Sequence, residues 1–154
     1  MTEIGLKLRA VDRDDLAVIA AMLQDALVPL ADMQFLPAEH RFIMVANRFR
    51  WENCDRNGDC AQYERVHSAV AFEGVEKVER QGLDRACLHG IGELLTFEVA
   101  DGAVLLVFAG GGRVRLGISR LDCHIRDMGE PWPTQWRPHH PDDAEPSGEG
   151  RRTT

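Results

Sequence analysis

One stretch limits the fold more than any other. Residues 94–128 read LLTFEVADGAVLLVFAGGGRVRLGISRLDCHIRDM. Residues 95–99 alternate apolar and polar, as a strand with one buried face does, and Ala100-Asp101-Gly102 supplies a turn. Residues 104–108 are continuously apolar, Gly110-Gly111-Gly112 supplies a second turn, and alternation resumes at Arg113. Period-two patterning broken by glycine turns predicts a three-stranded antiparallel meander. Residues 121–128 also fit helical spacing through Leu121, Ile125 and Met128; we read them as strand.

A looser copy precedes it, so the two units span about 31–82 and 94–129. Met33–Leu36 corresponds to residues 95–99, the apolar run 42–49 to 104–109, and 65–72 to 113–118. Gly74 marks a bulge that matches Ser119-Arg120, and each unit closes on a glycine, Gly82 or Gly129. Ahead of both, residues 4–9 alternate as a short strand. Asp12 then stands as an N-cap with Asp15 three positions on. Leu16, Ile19, Ala20, Leu23 and Leu27 recur at helical spacing, which predicts an amphipathic helix over 13–26 stopped by Pro29. The expected fold class is therefore α+β, mainly antiparallel β. Two pseudo-repeated three-stranded meanders form a sandwich or partly open barrel of six to eight strands, with one N-terminal amphipathic helix.

At 154 residues the chain is one domain by length, with the globular part over 1–138. After Gly129 the prolines and scarcity of apolar residues argue against a packed element, and 139–154 reads as a disordered tail. Trp132 and Trp136 stand out in this arm, either docking back on the sheet or anchoring a partner. The start of the chain lacks the basic and apolar segments of a secretory signal, and no apolar run reaches the roughly 18 residues of a membrane span. The expected location is the cytoplasm, with Cys54, Cys60, Cys87 and Cys123 as reduced thiols. A net charge of −7 argues against nucleic acid and anionic membrane as partners.

No motif carries chemistry. Cys54, Cys60, His67, Cys87 and His89 lack the close paired spacing of a structural zinc site. Residues 54–60 (CDRNGDC) hold Asp55, Asn57 and Gly58 but not the ligand ladder of a calcium loop. Gly110-Gly111-Gly112 leads into a strand rather than the helix N-terminus that a phosphate loop needs, so a tight turn explains it. Ser68 and Ser119 have no nucleophile-elbow sequence. We therefore expect no catalytic residue, no metal and no cofactor. A polar set remains at the ends of the first unit, comprising Asp32, His40, Arg48, Arg50, Glu52 and His67. Arg48 and Arg50 share a strand face, as do Arg113 and Arg115. If the units come together, these four guanidiniums would form an anion-binding surface.

Four runs carry a resemblance. Residues 6–26 fit L-x-L-R-A-x-D-x-x-D-L-A-V-I-A-x-x-L-Q-D-A, residues 47–52 read NRFRWE, residues 72–78 fit F-x-G-V-x-x-V, and residues 107–116 read VFAGGGRVRL. Taken together they resemble the bacterial family catalogued as domain of unknown function 2948, over about residues 6–140. The resemblance implies a small, soluble, stand-alone alphaproteobacterial protein and assigns no activity, cofactor or catalytic residue to any position.

The leading functional expectation is a non-enzymatic binding or adaptor protein that meets a protein partner through its sheet surface and the Trp132/Trp136 arm, with homodimerisation open. The alternative is a small-anion or metabolite-binding barrel, with or without catalysis, using Arg48, Arg50, Arg113 and Arg115. Single-stranded nucleic-acid binding on an aromatic and arginine sheet face ranks third.

Overall fold

The computed structural model describes residues 5–138, without the side chains of Arg85, Ala86 and Leu88. The tail read from 139 onward lies outside them. The elements are β1 (Lys7–Ala10), α1 (Arg13–Met22), β2 (Ala26–Pro29), β3 (Gln34–Leu36), β4 (Arg41–Phe49), β5 (Glu64–Glu73) and β6 (Val75–Gln81). They continue with α2 (Leu83–Ala86), β7 (Ile91–Ala100), β8 (Ala103–Phe108), β9 (Arg113–Ile118) and β10 (Cys123–Pro133). All ten strands join one antiparallel sheet in the order β1-β10-β5-β4-β2-β7-β8-β9-β6, with β3 on β4. The sheet is not closed, and it holds more strands than the six to eight expected.

The connectivity follows the turn chemistry. β3-β4-β5 and β7-β8-β9 are two meanders. The strand after each leaves its own meander and pairs with the last strand of the other, β6 with β9 and β10 with β5. Gly74 makes the first crossing, with φ +73. Its carbonyl accepts the Ser119 N–H at 2.9 Å. The glycine turn after β8 has φ +87 at Gly110 and +94 at Gly111, a backbone that side-chain-bearing residues rarely adopt.

Inward positions of every strand feed one core. Phe42, Met44 and Ala46 of β4 meet Val70 and Phe72 of β5, Ile125 of β10, and Leu106, Phe108, Val114 and Leu116 of the other meander. Phe72 and Phe97, from opposite halves, meet edge to face at 5.4 Å. Burying side chains of this size stabilises by roughly 1.5–3 kcal/mol each. Helix α1 packs on β1 and β7 and buries Leu16, Ile19 and Ala20. Asp12 Oδ1 accepts the Asp15 N–H at 2.8 Å, which caps its first turn.

Three departures from the sequence reading have physical causes. The helix stops at Met22 rather than at 26 because Asp25 turns the chain in the left-handed region (φ 64). Leu27, which fits the helical spacing, then lies in β2, where it pairs with both Asn47 and Glu93 and joins the two halves. Second, β10 runs on through Pro131 and Pro133, where no packed element is expected. Pairing with β5 lapses after Met128 and resumes at Trp132 opposite Arg65. On its other side β10 has lost β1, whose pairing ends at Arg126, so a proline there removes no ladder bond. Third, Cys54 and Cys60 are bridged, not reduced. Asp55 Oδ1 accepts the N–H groups of Asn57 and Asp59, both at 2.9 Å, and so folds the loop until its ends meet.

Candidate functional site

Strand alternation places Arg48 where an apolar residue belongs. Phe42, Met44, Ala46 and Arg48 all point into the core, and Arg48 is 0% exposed. Ser68 in β5 and Asp127 in β10 stand opposite each other, one inward position along from Arg48, which lies across from Val66. Arg48 Nε donates to Ser68 Oγ at 3.1 Å and Asp127 Oδ1 at 3.0 Å. Its Nη2 reaches Asp127 Oδ2 at 2.8 Å and Glu52 Oε2 at 2.7 Å, and Nη1 reaches Glu52 Oε1 at 2.9 Å. The Ser68 hydroxyl donates to Asp127 Oδ1 at 2.6 Å, and the Leu6 N–H to Oδ2 at 2.9 Å. Arg50 extends the network to Glu64 at 2.6 Å.

Charge is stabilised throughout this network. Burial works against ionisation of Asp127, but the bonds from Arg48, Ser68 and Leu6 outweigh it and hold the carboxyl below the ordinary range. Burial likewise opposes Glu52, and Arg48 again prevails. Arg48 itself is held above its ordinary value by the two carboxylates despite burial. A guanidinium with these partners is a structural ion, not an open anion receptor. The adjoining cavity, lined by Arg50, Val66, Asp127 and Glu130, measures about 160 Å³. That is below the roughly 300 Å³ where small-molecule pockets begin, and its walls carry two acidic residues.

The other two predicted arginines lie elsewhere. Arg113 and Arg115 are exposed on β9 beside Glu79, which accepts from Arg115 at 3.5 Å. Strands β2, β7 and β8 separate β9 from β4 in the sheet. The four guanidiniums therefore do not share one surface. Of the polar set, Arg48, Arg50 and Glu52 meet, while His67 lies on the outer face. His40 is exposed and turns the chain before β4 with φ 52; Asp32 is exposed in a 3-10 turn.

The outer face of β1, β10, β5 and β4 has a different character. Its centre is aliphatic and half-buried: Ala69 stands opposite Val45, and Ala71 opposite Ile43. On the β10 side, Ala71 and Ala69 are flanked by His124 and Arg126. Beyond these, Arg9 pairs with His124 and Lys7 with Arg126. Trp132 packs against His67 with ring centroids 4.8 Å apart, beside the exposed Met128. Trp132 thus docks into the sheet, whereas Trp136 stays 66% exposed. At the same end, across Arg65 from Trp132, Phe49 is closed over by Trp51 and Tyr63, with ring centroids at 4.8 and 6.0 Å. Arg137 lies 5.7 Å from the Trp51 ring centre.

The model of a family described as "Protein of unknown function (DUF2948)" matches residues 6–140. The chain belongs to the DUF2948 family. No curated protein and no solved structure matches it.

The two free thiols of this DUF2948 chain are withdrawn from solvent. Cys87 and Cys123 are buried, and burial pushes both thiols up. No group of three or more metal-ligating side chains occurs among the described residues. Asp55, the residue most like a calcium ligand in the sequence, spends an oxygen on its own loop's N–H groups. No described helix is long and apolar enough to cross a membrane. Sequence reasoning missed Ser68 and Asp127. Their signal is a polar residue at the same inward level of adjacent strands, which appears only once the register is known.

Proposed function

We propose that this DUF2948 protein is a non-enzymatic binding protein that engages a protein partner through the outer face of β1, β10, β5 and β4, with Trp132 and Trp136 at its margin. The observation that carries this reading is the composition of that face. Half-buried Ile43, Val45, Ala69 and Ala71 lie between a basic border and a tryptophan beside an exposed methionine. An apolar centre with a polar rim and aromatic anchors is the anatomy of a protein interface. The saturation of Arg48 and the separation of Arg113 and Arg115 from it leave the anion-binding alternative without a shared pocket. The reciprocal pairing of β6 with β9 and β10 with β5 also supports reading the chain as two pseudo-repeated halves.

The test is a photo-crosslinking residue placed at Ala71, in the centre of the face, and separately at Glu98, exposed on β7. In native-host cells the Ala71 position is expected to trap a discrete protein that the Glu98 position does not. Equal patterns from both positions would refute the reading.

A further inference from the structure

From the charge pattern of this face we infer that its partner is an acidic polypeptide segment carrying apolar side chains, an inference that rests on the binding reading above. Two cross-strand pairs on the face bring basic residues directly opposite each other: Lys7 with Arg126, and Arg9 with His124. Like charges in such positions, as at Lys7 and Arg126, destabilise a sheet. Arg9, His124 and Arg120 share the single carboxylate of Asp122, at 3.0, 3.1 and 3.8 Å. Lys7 and Arg126 form no ion pair among the described residues. Among the described residues a further acid of the face, Glu73, is held by Arg41 at 2.9 Å. A chain of net charge −7 therefore concentrates unneutralised positive charge along one border, beside its aliphatic centre. An anionic ligand would relieve the repulsion that folding leaves in place.

The centre decides between polymers. Single-stranded nucleic acid binds sheets through aromatic platforms on which successive bases stack. Here the positions nearest the cations are Ala69, Ala71, Val45 and Ile43, while the aromatics gather at one end of the face, where Trp132 is engaged by His67 and Phe49 is closed over by Trp51 and Tyr63. Aliphatic side chains bordered by cations suit Leu, Ile or Val interspersed with Asp and Glu. On β1 the cations Lys7 and Arg9 stand two residues apart, about 7 Å, which matches alternate carboxylates on an extended peptide.

The test pans a displayed library of random peptides against the full chain. The selected peptides, and a single-stranded RNA of mixed sequence, are then titrated against wild type and Arg126→Glu. That substitution sets opposite charges across from Lys7, so the melting temperature should hold or rise by about 2–4 °C. We expect the selected peptides to be rich in Asp and Glu and to lose about tenfold or more in affinity for the variant. Selected peptides without acidic excess, or with equal affinity for the variant, would overturn the inference while leaving the binding reading to the crosslinking result. RNA binding tighter than any peptide, and falling steeply with salt, would overturn it in favour of nucleic acid. Failure to enrich any peptide would also overturn it, and loss of the Ala71 crosslink as well would remove the binding reading itself.

Discussion

Replacing Arg48 by Met tests the ionic network most directly. The side chain is fully buried, and Met keeps the aliphatic volume while removing the charge and its donors. Asp127, with 6% of its side chain exposed, keeps only the Ser68 hydroxyl and the Leu6 N–H. Glu52, at 31%, can turn toward water or Arg50, so most of the penalty falls on Asp127. Removing one partner of a buried pair costs about 3–5 kcal/mol, a large part of a small domain's stability. The pH dependence carries the sign. Asp127 and Glu52 titrate below their ordinary values in the folded protein. Their contribution is complete above the unfolded carboxylate range, about 3.9–4.3, and is lost as pH falls through the lower folded values. In the variant burial dominates at Asp127, and protonation relieves it. The stability difference should therefore be largest near neutrality and shrink on acidification. Urea unfolding followed by tryptophan fluorescence at about pH 7 and about pH 3.5 measures both quantities. A loss under about 1 kcal/mol at neutral pH, or one independent of pH, would refute the assignment.

Two further outcomes follow from the backbone and the loop. Gly74→Ala should cost about 1–3 kcal/mol, because φ is +73 and a Cβ would lie 3.0 Å from Arg120 Cγ and 3.3 Å from its carbonyl oxygen; an unchanged melting temperature would contradict this. Thiol titration of the unreduced, denatured chain should count two groups, Cys87 and Cys123, since Cys54 and Cys60 are joined; four reactive thiols would restore the expectation of a fully reduced chain.

What the sequence made legible was local. The turns at Asp101-Gly102 and Gly110-Gly112 and the cap at Asp12 depend on residues within a few positions of one another, and all three form where the patterns place them. Leu27 misled because positions 23 and 27 satisfy helical spacing, although Ala26 and Val28 are buried as alternating positions of a strand. Pairing with Asn47 and Glu93, far away in the chain, decides for strand. The same limit hid Arg48. On β4 alone it looks like a solvent-facing neighbour of Arg50, and only the register with Ser68 and Asp127 turns it into a buried ion. The prolines of β10 misled because their effect depends on which side of the strand is already unpaired.

The exchange of β6 and β10 between meanders also bears on how the chain is made. Synthesis runs from the N-terminus at about 5–20 residues per second. Until Cys123–Pro133 emerges, β1 has no partner strand and β5 presents an open edge along nearly its whole length. The first meander must therefore wait, part-finished, for the second to be translated. During that interval the open edge of a strand bearing Val66, Val70 and Phe72 is available to other chains, a hazard for aggregation. Folding of this protein is set to complete late, when its last strand closes the gap between its first and its fifth.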